Sequence, residues 1–176
     1  MTRSIIASGS SSENTIHSDR IAREHFDERF GYEALPLFRR HWLELANYRE
    51  QRPLAPDLRK YEELDRKRVM RWFTIRREGE LLGYAAYLVS PTHLHYRGWA
   101  CAMADTFWIA PEYGARAWGY VKLFRFANNH LEARGCRWIT YHARRHQRDR
   151  TDVRMGPIFK RLDYGETETL YEKFLG

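Results

Sequence analysis

The spacing of hydrophobic and polar positions predicts two helices in the first third of the chain. In the segment 34–50, hydrophobic residues recur at steps of three and four, which is the period of an amphipathic helix. Pro36 fits the first turn of this helix, where the N–H that proline lacks would have no partner. Asp57 is a suitable N-cap for a second helix that runs to Leu64. The predicted buried face of the first helix consists of Leu35, Phe38, Trp42, Leu45 and Ala46.

Three strands are predicted in the middle of the chain. Residues 71–75 and 81–90 are apolar runs separated by a short turn at Gly79, the pattern of a β-hairpin. Residues 100–109 form a third run, which ends before Pro111. These runs predict the centre of a β-sheet.

A long helix and a further strand follow. Residues 117–134 carry hydrophobic side chains on one face and end at Gly135, a helix stop. The next apolar run, 137–143, completes a strand–turn–helix–strand series that describes a βαβ unit. After an arginine-rich connection at 144–154, a short helix around Phe159 and a C-terminal strand are expected. The prediction is an α+β fold with a mixed, mostly antiparallel central sheet flanked by helices.

Length and composition favour one folded domain. The chain has 176 residues, 43% of them hydrophobic and 15% aromatic, which is enough to bury a core. Residues 1–20 are rich in Ser, Thr and Asn and predict a flexible tail, so the domain is expected at 21–176. No apolar run reaches the roughly 20 residues of a membrane span, and we expect a cytoplasmic protein without membrane contact. Cys101 and Cys136 form neither a disulfide framework nor a metal-binding pattern.

The charge of the chain widens the choice of partners. The formal net charge is +7, and 25 of the 30 basic residues are Arg. Arginine binds phosphates and carboxylates through two parallel hydrogen bonds, so phosphorylated cofactors, acidic proteins and nucleic acids are candidates. The densest arginine run, 144–154, could meet such a ligand or be a solvated loop. No recognisable nucleic-acid motif accompanies it, and nucleic acid is not the expected partner.

The turn before the long helix is the strongest candidate site. A helix N-terminus exposes unpaired N–H groups and a partial positive charge, and small residues let its backbone approach a phosphate. Tight packing of a turn would favour the same small residues. The predicted anion-binding residues are Gly114, Ala115, Arg116, Ala117, Trp118 and Gly119.

In these motifs the sequence resembles the GCN5-related N-acetyltransferases (GNAT). The segment 111–119 is similar to the family's Pro-Glu-x-Arg-Gly-x-Gly-x-Gly turn, which binds the pyrophosphate of acetyl-coenzyme A. Residues 82–84 in the hairpin and 159–164 near the C-terminus extend the resemblance over about 35–174. Within the family, the layout looks most like acetyltransferase-like proteins of tailed bacteriophages. The resemblance implies the acyl-CoA N-acyltransferase fold, acetyl-CoA as co-substrate, no metal, and acetyl transfer to a primary amine of a small molecule or protein.

The resemblance also implies two catalytic residues. Asp105 matches a carboxylate that removes the proton of the acceptor ammonium, whose ordinary pKa is near 10.4. A strand Asp that only hydrogen-bonds a neighbouring loop is the alternative. The family's tyrosine that protonates the departing thiolate corresponds to Phe159, which has no proton to donate. Tyr164 and Tyr171 are the possible substitutes.

Further residues are assigned to the two substrates. The backbone N–H groups of Phe107, Trp108 and Ile109 would polarise the thioester carbonyl. His93 and His95 could shape an acceptor pocket or act as base, although exposed histidines are the simpler interpretation. Tyr84 is likewise assigned to the acceptor, with a place in the core of the sheet as the alternative.

Three departures from the family's turn and helix keep a second function open. Gly114 replaces an Arg or Gln, Ala117 replaces a Gly, and Phe159 replaces the tyrosine. An additional methyl at residue 117 could shield an amide from the phosphate. The alternative function is a catalytically weakened binding module of the same fold that docks on a host protein and modulates it. An oligomer is possible in either case.

Overall fold

The fold is a five-stranded sheet with helices on both faces. The computed structural model describes residues 18–46, 49–93, 95–142 and 154–167. Within them, neighbouring strands follow one another in chain order, the first three pairs antiparallel and the last parallel. This confirms the predicted mixed, mostly antiparallel sheet. The strands are β1 Asp19–Glu24, β2 Met70–Arg77, β3 Glu80–Ser90, β4 Ala100–Ile109 and β5 Cys136–Thr140, and the helices are α1 Glu28–Leu45, α2 Leu58–Arg66, α3 Arg116–Glu132 and α4 Met155–Arg161.

Strand β1 is absent from the sequence prediction, which ended the flexible tail at residue 20. Asp19 and the following five residues pair antiparallel with β2. The strand is mostly polar and has no alternating apolar pattern by which the sequence could reveal it. Ion pairs between its side chains and those of β2 help to hold it in the sheet. Arg77 Nε donates to Asp19 at 3.0 Å, and Arg76 Nε donates to Glu24 at 2.8 Å. Residues 1–17 of the predicted tail lie outside the described residues.

Helix α1 begins earlier than the sequence pattern predicted. The Asp27 side chain accepts the N–H of Phe30 at 2.8 Å and so caps the helix start. Pro36 therefore lies inside the helix, on its exposed side, and not in the predicted first turn. The predicted buried face is also wrong in part, because the buried residues are Phe30, Gly31, Ala34, Leu37 and Phe38.

The remaining helices and strands follow the prediction closely. The Asp57 side chain caps α2 by accepting the N–H of Lys60 at 2.9 Å. The hairpin turn places Glu78 and Gly79 at φ of 51° and 86°, the conformation that matches the twist of the two strands. Strand β4, helix α3 and the parallel strand β5 form the predicted βαβ unit. The C-terminal strand and all but Arg154 of the arginine-rich connection fall outside the described residues.

Two hydrophobic cores lie on opposite faces of the sheet. Successive residues of a strand point to opposite faces, so Trp72 packs under α1 while Phe73 packs under α3. We call these the α1 face and the α3 face. Burial of each large side chain stabilises the fold by about 1.5–3 kcal/mol. The largest residues of the two cores are Phe26, Phe30, Phe38, Trp72, Tyr84 and Trp108 on the α1 face, and Phe73, Tyr87, Tyr113, Tyr120, Phe124 and Phe159 on the α3 face.

Candidate functional site

One edge of β4 separates from its neighbour near the start of α3. Strand β5 pairs with β4 only from Ala100 to Met103. On its other edge, β4 remains paired with β3 as far as Ile109. Among the described residues, the edge of β4 between residues 104 and 109 therefore has no strand partner. This open edge ends at the turn that leads into α3.

The alternation of backbone hydrogen bonds decides which amides face the open edge. The N–H of Ala110 donates to Leu82 in β3 at 2.7 Å, so the N–H of Trp108, two residues earlier, also faces β3. The N–H of Ile109 faces the other way and donates to the hydroxyl of Tyr120 at 3.0 Å. Phe107 thus contributes the N–H on the open edge. Of the three residues whose N–H groups were predicted to polarise a thioester, Phe107 is thus the one that directs an available N–H to the open edge, and its role stays a prediction.

Asp105 occupies a bulge in β4. The pairing of β3 with β4 shifts register so that Ala104 and Thr106 have partners on β3 while Asp105 has none. The bulge turns Asp105 and Thr106 to the α1 face. Although solvent reaches Asp105, neighbouring protein removes water from its carboxyl and raises its pKa, and the charge of His142 opposes this shift only in part. A raised pKa brings the carboxylate closer to the range of a useful base.

A hydroxyl–imidazole chain is built beside Asp105 on the α1 face. The Tyr84 hydroxyl lies 2.7 Å from His41 Nδ1, and the Thr106 hydroxyl lies 3.5 Å from the same nitrogen. Tyr84 is 1% exposed, and burial holds the pKa of its hydroxyl well above the ordinary value. Tyr84 thus lies in the core of the sheet, which is the alternative that the sequence left open, and its assignment to the acceptor stays a prediction. Sequence reasoning missed His41, which lies one helical turn after Leu37 on the buried face of α1.

The turn before α3 consists of two consecutive γ-turns. Gly114 has φ 82° and ψ −78°, a conformation open to glycine, and Ala115 mirrors it at φ −83° and ψ 58°. The turns direct the N–H of Ala115 to Tyr113 C=O and the N–H of Arg116 to Gly114 C=O. Three successive amides, those of residues 114–116, are therefore satisfied within the turn.

Two amides remain at the helix start. The N–H of Gly119 donates to Ala115 C=O at 2.9 Å, whereas within the described ranges the N–H groups of Ala117 and Trp118 have no acceptor. Both residues are exposed. Of the six residues predicted to bind an anion, Ala117 and Trp118 thus present unpaired N–H groups at the positive end of a 17-residue helix, and anion binding there stays a prediction.

Gly119 lies where α3 packs closely against the end of β4. A Cβ at this position would lie 2.6 Å from Tyr113 Cε1 and 3.0 Å from Ile109 Cδ1. Glycine therefore lets α3 approach the end of β4. Beside it, the ring of Trp118 is 42% exposed, and the Arg161 guanidinium of α4 lies 4.9 Å from its centroid. Arg161 thus places a positive charge on the ring of Trp118.

The Arg116 guanidinium points to α1. It donates to Glu44 Oε1 at 2.9 Å and Oε2 at 3.1 Å, and it lies 5.6 Å from the Trp108 ring centroid. Trp108 Nε1 donates to the same carboxylate at 2.7 Å. The expectation that Arg116 supplies a free cation to an anion is therefore corrected. Glu44, which sequence reasoning missed, joins the end of α1 to the start of α3.

Replacing Arg116 by Met is expected to lower the free energy of unfolding by about 3 kcal/mol, because it leaves the nearly buried Glu44 carboxylate without its cation. Chemical denaturation measures this loss. Arg40→Met is the matched control, since Arg40 also lies over Trp108 but pairs with Glu112 in an exposed bridge, where about 0–1 kcal/mol is expected. Equal losses in the two variants would contradict the structural role of Arg116.

Tyr164 lies on the α3 face beside the open edge. Its ring contacts Tyr141 and Phe159 at centroid distances of 5.0 and 5.9 Å. Burial raises the pKa of its hydroxyl, so it holds its proton at neutral pH. Phe159 is 8% exposed and stacks on Phe124 at 5.9 Å, which gives it a place in the core where the family has a proton donor. Tyr171 lies outside the described residues.

His93 and His95 are not brought to Asp105. The ring of His93 stacks on Trp138 at 5.4 Å, and its Nδ1 accepts the N–H of His95 at 3.1 Å. Trp138 pairs with Cys101, four residues or about 13 Å along β4 from Asp105. Within the described ranges, no group of three or more His, Cys, Asp and Glu side chains could hold a metal ion.

The arrangement supplies three kinds of group around the open edge of β4. A partly desolvated carboxylate, Asp105, can accept a proton. The N–H of Phe107 can donate to a carbonyl oxygen in the edge. The N–H groups of Ala117 and Trp118 can bind an anion at the end of the edge. No helix among the described residues is long and apolar enough to cross a membrane.

Known structures share the fold of this chain, although sequence comparisons find no match. No protein-family model matches the sequence, and no curated protein is significantly similar to it. Among solved structures, the ribosomal-protein-alanine N-acetyltransferase of Brucella melitensis is 17% identical and superimposes with a TM-score of 0.63 over 89% of this chain and 99% of that one. An aminoglycoside acetyltransferase from an uncultured soil metagenomic sample gives 14% identity and a TM-score of 0.68 over 90% and 99% of the two chains.

A third similar structure was solved with the co-substrate of such enzymes. A predicted acetyltransferase of Clostridium acetobutylicum, in complex with acetyl-CoA, is 13% identical with a TM-score of 0.61, covering 90% of this chain and 97% of that one. At these identities the similarity establishes the fold. The mixed five-stranded sheet and its flanking helices are those of the GNAT acyl-CoA N-acyltransferase fold.

Proposed function

We propose that the protein is an N-acetyltransferase that moves the acetyl group of acetyl-CoA to a primary amine of a small molecule or protein. One observation carries the proposal. The open edge of β4 runs from the carboxylate of Asp105 to the unpaired N–H groups of Ala117 and Trp118. A proton acceptor and an anion site thus lie at the two ends of one strand edge.

Each group has a role in this reaction. The N–H groups of Ala117 and Trp118 would hold the diphosphate, with the charge of Arg161 nearby. Acetyl-CoA supplies a thioester whose carbonyl carbon is open to an amine. The Phe107 N–H would donate to the carbonyl oxygen as negative charge develops there. Asp105 would take the proton of the attacking amine, directly or through water, as the C–N bond forms and the C–S bond breaks.

The names of the similar structures suggest two kinds of acceptor. One is named a ribosomal-protein-alanine N-acetyltransferase, and two are named aminoglycoside acetyltransferases. An amine of a protein or of an aminoglycoside is therefore the first choice for testing. Because the sequence resembles acetyltransferase-like proteins of tailed bacteriophages, we propose that it acts in the cytoplasm of a bacterial host.

Release of free thiol from acetyl-CoA tests the proposal. Incubation of the protein with acetyl-CoA and a panel of aminoglycosides and peptides with free N-terminal amines is expected to release thiol and yield an acetylated amine by mass spectrometry. Calorimetric titration with acetyl-CoA accompanies the assay. Absence of binding at millimolar acetyl-CoA would exclude the transferase.

A second candidate is a binding module with weakened chemistry that docks on a host protein. Three features favour it. The γ-turns at Gly114 and Ala115 use three amides internally, and the Arg116 guanidinium is bound by Glu44. Phe159, packed in the core, donates no proton. A protein that binds CoA, releases no thiol with any acceptor and co-purifies with a partner at a fixed ratio would support this candidate.

A further inference from the structure

We propose that the protein also binds single-stranded nucleic acid on an exposed group of aromatic rings formed by His93, Tyr96, Trp99 and Trp138, here called the aromatic platform. This site lies at the loop between β3 and β4 and on β5, away from Asp105 and the start of α3. It does not depend on the proposed acetyl transfer, and nothing in that reaction uses these rings.

The platform is a continuous surface of stacked and tilted rings. His93 and Trp138 are almost parallel, at 5.4 Å and 12°. Tyr96 lies 5.7 Å from Trp138 and 5.6 Å from Trp99. The three large rings remain exposed by 45% for Tyr96, 47% for Trp99 and 41% for Trp138. The rings cover one another in part, and the surface that stays exposed forms one continuous aromatic area outside the two cores on which a base could stack.

The loop that carries the platform is closed by its own backbone. The N–H of His93 donates to Trp99 C=O at 2.7 Å, the N–H of Trp99 donates to Tyr96 C=O at 3.2 Å, and the N–H of Tyr96 donates to His93 C=O at 3.3 Å. Gly98 supplies the positive φ of 84° that the return of the loop requires. These bonds fix the backbone positions from which His93, Tyr96 and Trp99 extend, which lowers the backbone entropy lost on binding.

The charges around the platform favour an anionic partner. The segments 90–104 and 133–142 contain no Asp or Glu. Arg97 and Arg137 are exposed and, in the part of the chain that the structure describes, form no hydrogen bond or ion pair. Proteins that bind single-stranded nucleic acid combine exposed aromatic rings, on which bases stack, with cations that pair with the phosphates. The platform and its two arginines provide both kinds of group.

A single-stranded nucleic acid fits these observations better than an acidic peptide. An acidic peptide would use the arginines and leave the ring faces open, whereas each base of a single strand can cover one ring. A cationic ligand is disfavoured because no carboxylate lies in either segment. This partner differs from the sequence expectation, which found no nucleic-acid motif and considered contacts only in the run 144–154.

Fluorescence anisotropy of a labelled twelve-nucleotide dT strand, with the full-length protein at 50 and 200 mM salt, tests the proposal. We expect binding that weakens with salt, and Trp99→Ala and Trp138→Ala are each expected to weaken it about 5- to 100-fold, the effect of one lost stacked base. Arg97→Gln and Arg137→Gln should each lower the slope of log affinity against log salt by about 0.7.

The controls separate stacking from charge and from the transferase. Tyr32→Ala removes a ring that is 63% exposed on α1 and should leave the affinity unchanged. Thermal unfolding shows whether Trp99→Ala and Trp138→Ala are folded, and any affinity for acetyl-CoA should be the same in these variants as in the wild-type protein. No binding at 50 mM salt would overturn the proposal. So would equal binding by the tryptophan variants, or displacement of the strand by polyglutamate at equal charge concentration.

Discussion

The Asp105→Asn variant is expected to transfer acetyl groups about 10²- to 10⁴-fold more slowly than the wild-type protein, the range that one positioned acid or base contributes. Its affinity for CoA should not change, because the carboxyl lies at the other end of the open edge from the free amides of α3. Asparagine keeps the shape of the side chain and its place in the bulge but cannot accept the proton. Initial rates of thiol release and calorimetric titration with CoA measure the two quantities.

The pH dependence of the two transfer rates shows whether Asp105 acts as the base. Burial raises the pKa of Asp105, and the carboxylate is the active form. The ratio of wild-type to variant rates should therefore rise with pH through that raised pKa and then level off. Deprotonation of the acceptor amine affects both proteins equally and cancels in the ratio. Asp163→Asn, at an exposed position with a φ of 61° that asparagine tolerates, is the control. Equal turnover of the Asp105 variant at neutral pH would remove Asp105 as the base.

The Ala117→Asp variant is expected to bind CoA at least about 30-fold more weakly than the wild-type protein. A carboxylate at this exposed position lies next to one of the two free amides and repels a diphosphate a few ångströms away by about 2 kcal/mol. The fold should not suffer, because a negative charge in the first turn of a helix is favourable. Titration calorimetry measures the affinity, and thermal unfolding shows whether the variant is as stable as expected.

Ala117→Asn separates charge from size at the same position. It has nearly the volume of the aspartate variant and no charge, so it should lose much less affinity. If both variants bind CoA equally weakly, the side chain obstructs the site and charge is not the cause. If both bind as well as the wild-type protein, the diphosphate does not lie at the start of α3.

The sequence was sufficient for the elements that have a strong local period. Helix α3 carries a clear hydrophobic face, and the run that became β4 ends at a proline, so their order gave the βαβ unit and the position of the turn between them. The cap at Asp57 and the hairpin at Gly79 depend on residues only a few positions apart, so the sequence predicts them equally well.

Features that depend on distant partners could not be predicted. Strand β1 is held by pairs such as Arg77 with Asp19, which are 58 residues apart. The direction of the Arg116 side chain is set by Glu44, 72 residues away. The bulge at Asp105 follows from the register of two strands and has no local signal. The open edge and the limited number of free amides therefore appear only once the sheet is assembled.

The response of two backbone amides to CoA tests the proposed site most directly. In a ¹⁵N–¹H NMR titration of the full-length protein, we expect the amide protons of Ala117 and Trp118 to move downfield and to saturate with the affinity measured by calorimetry, because each gains a hydrogen bond to a phosphate oxygen. Saturation of the protein with CoA while both resonances stay in place would contradict it.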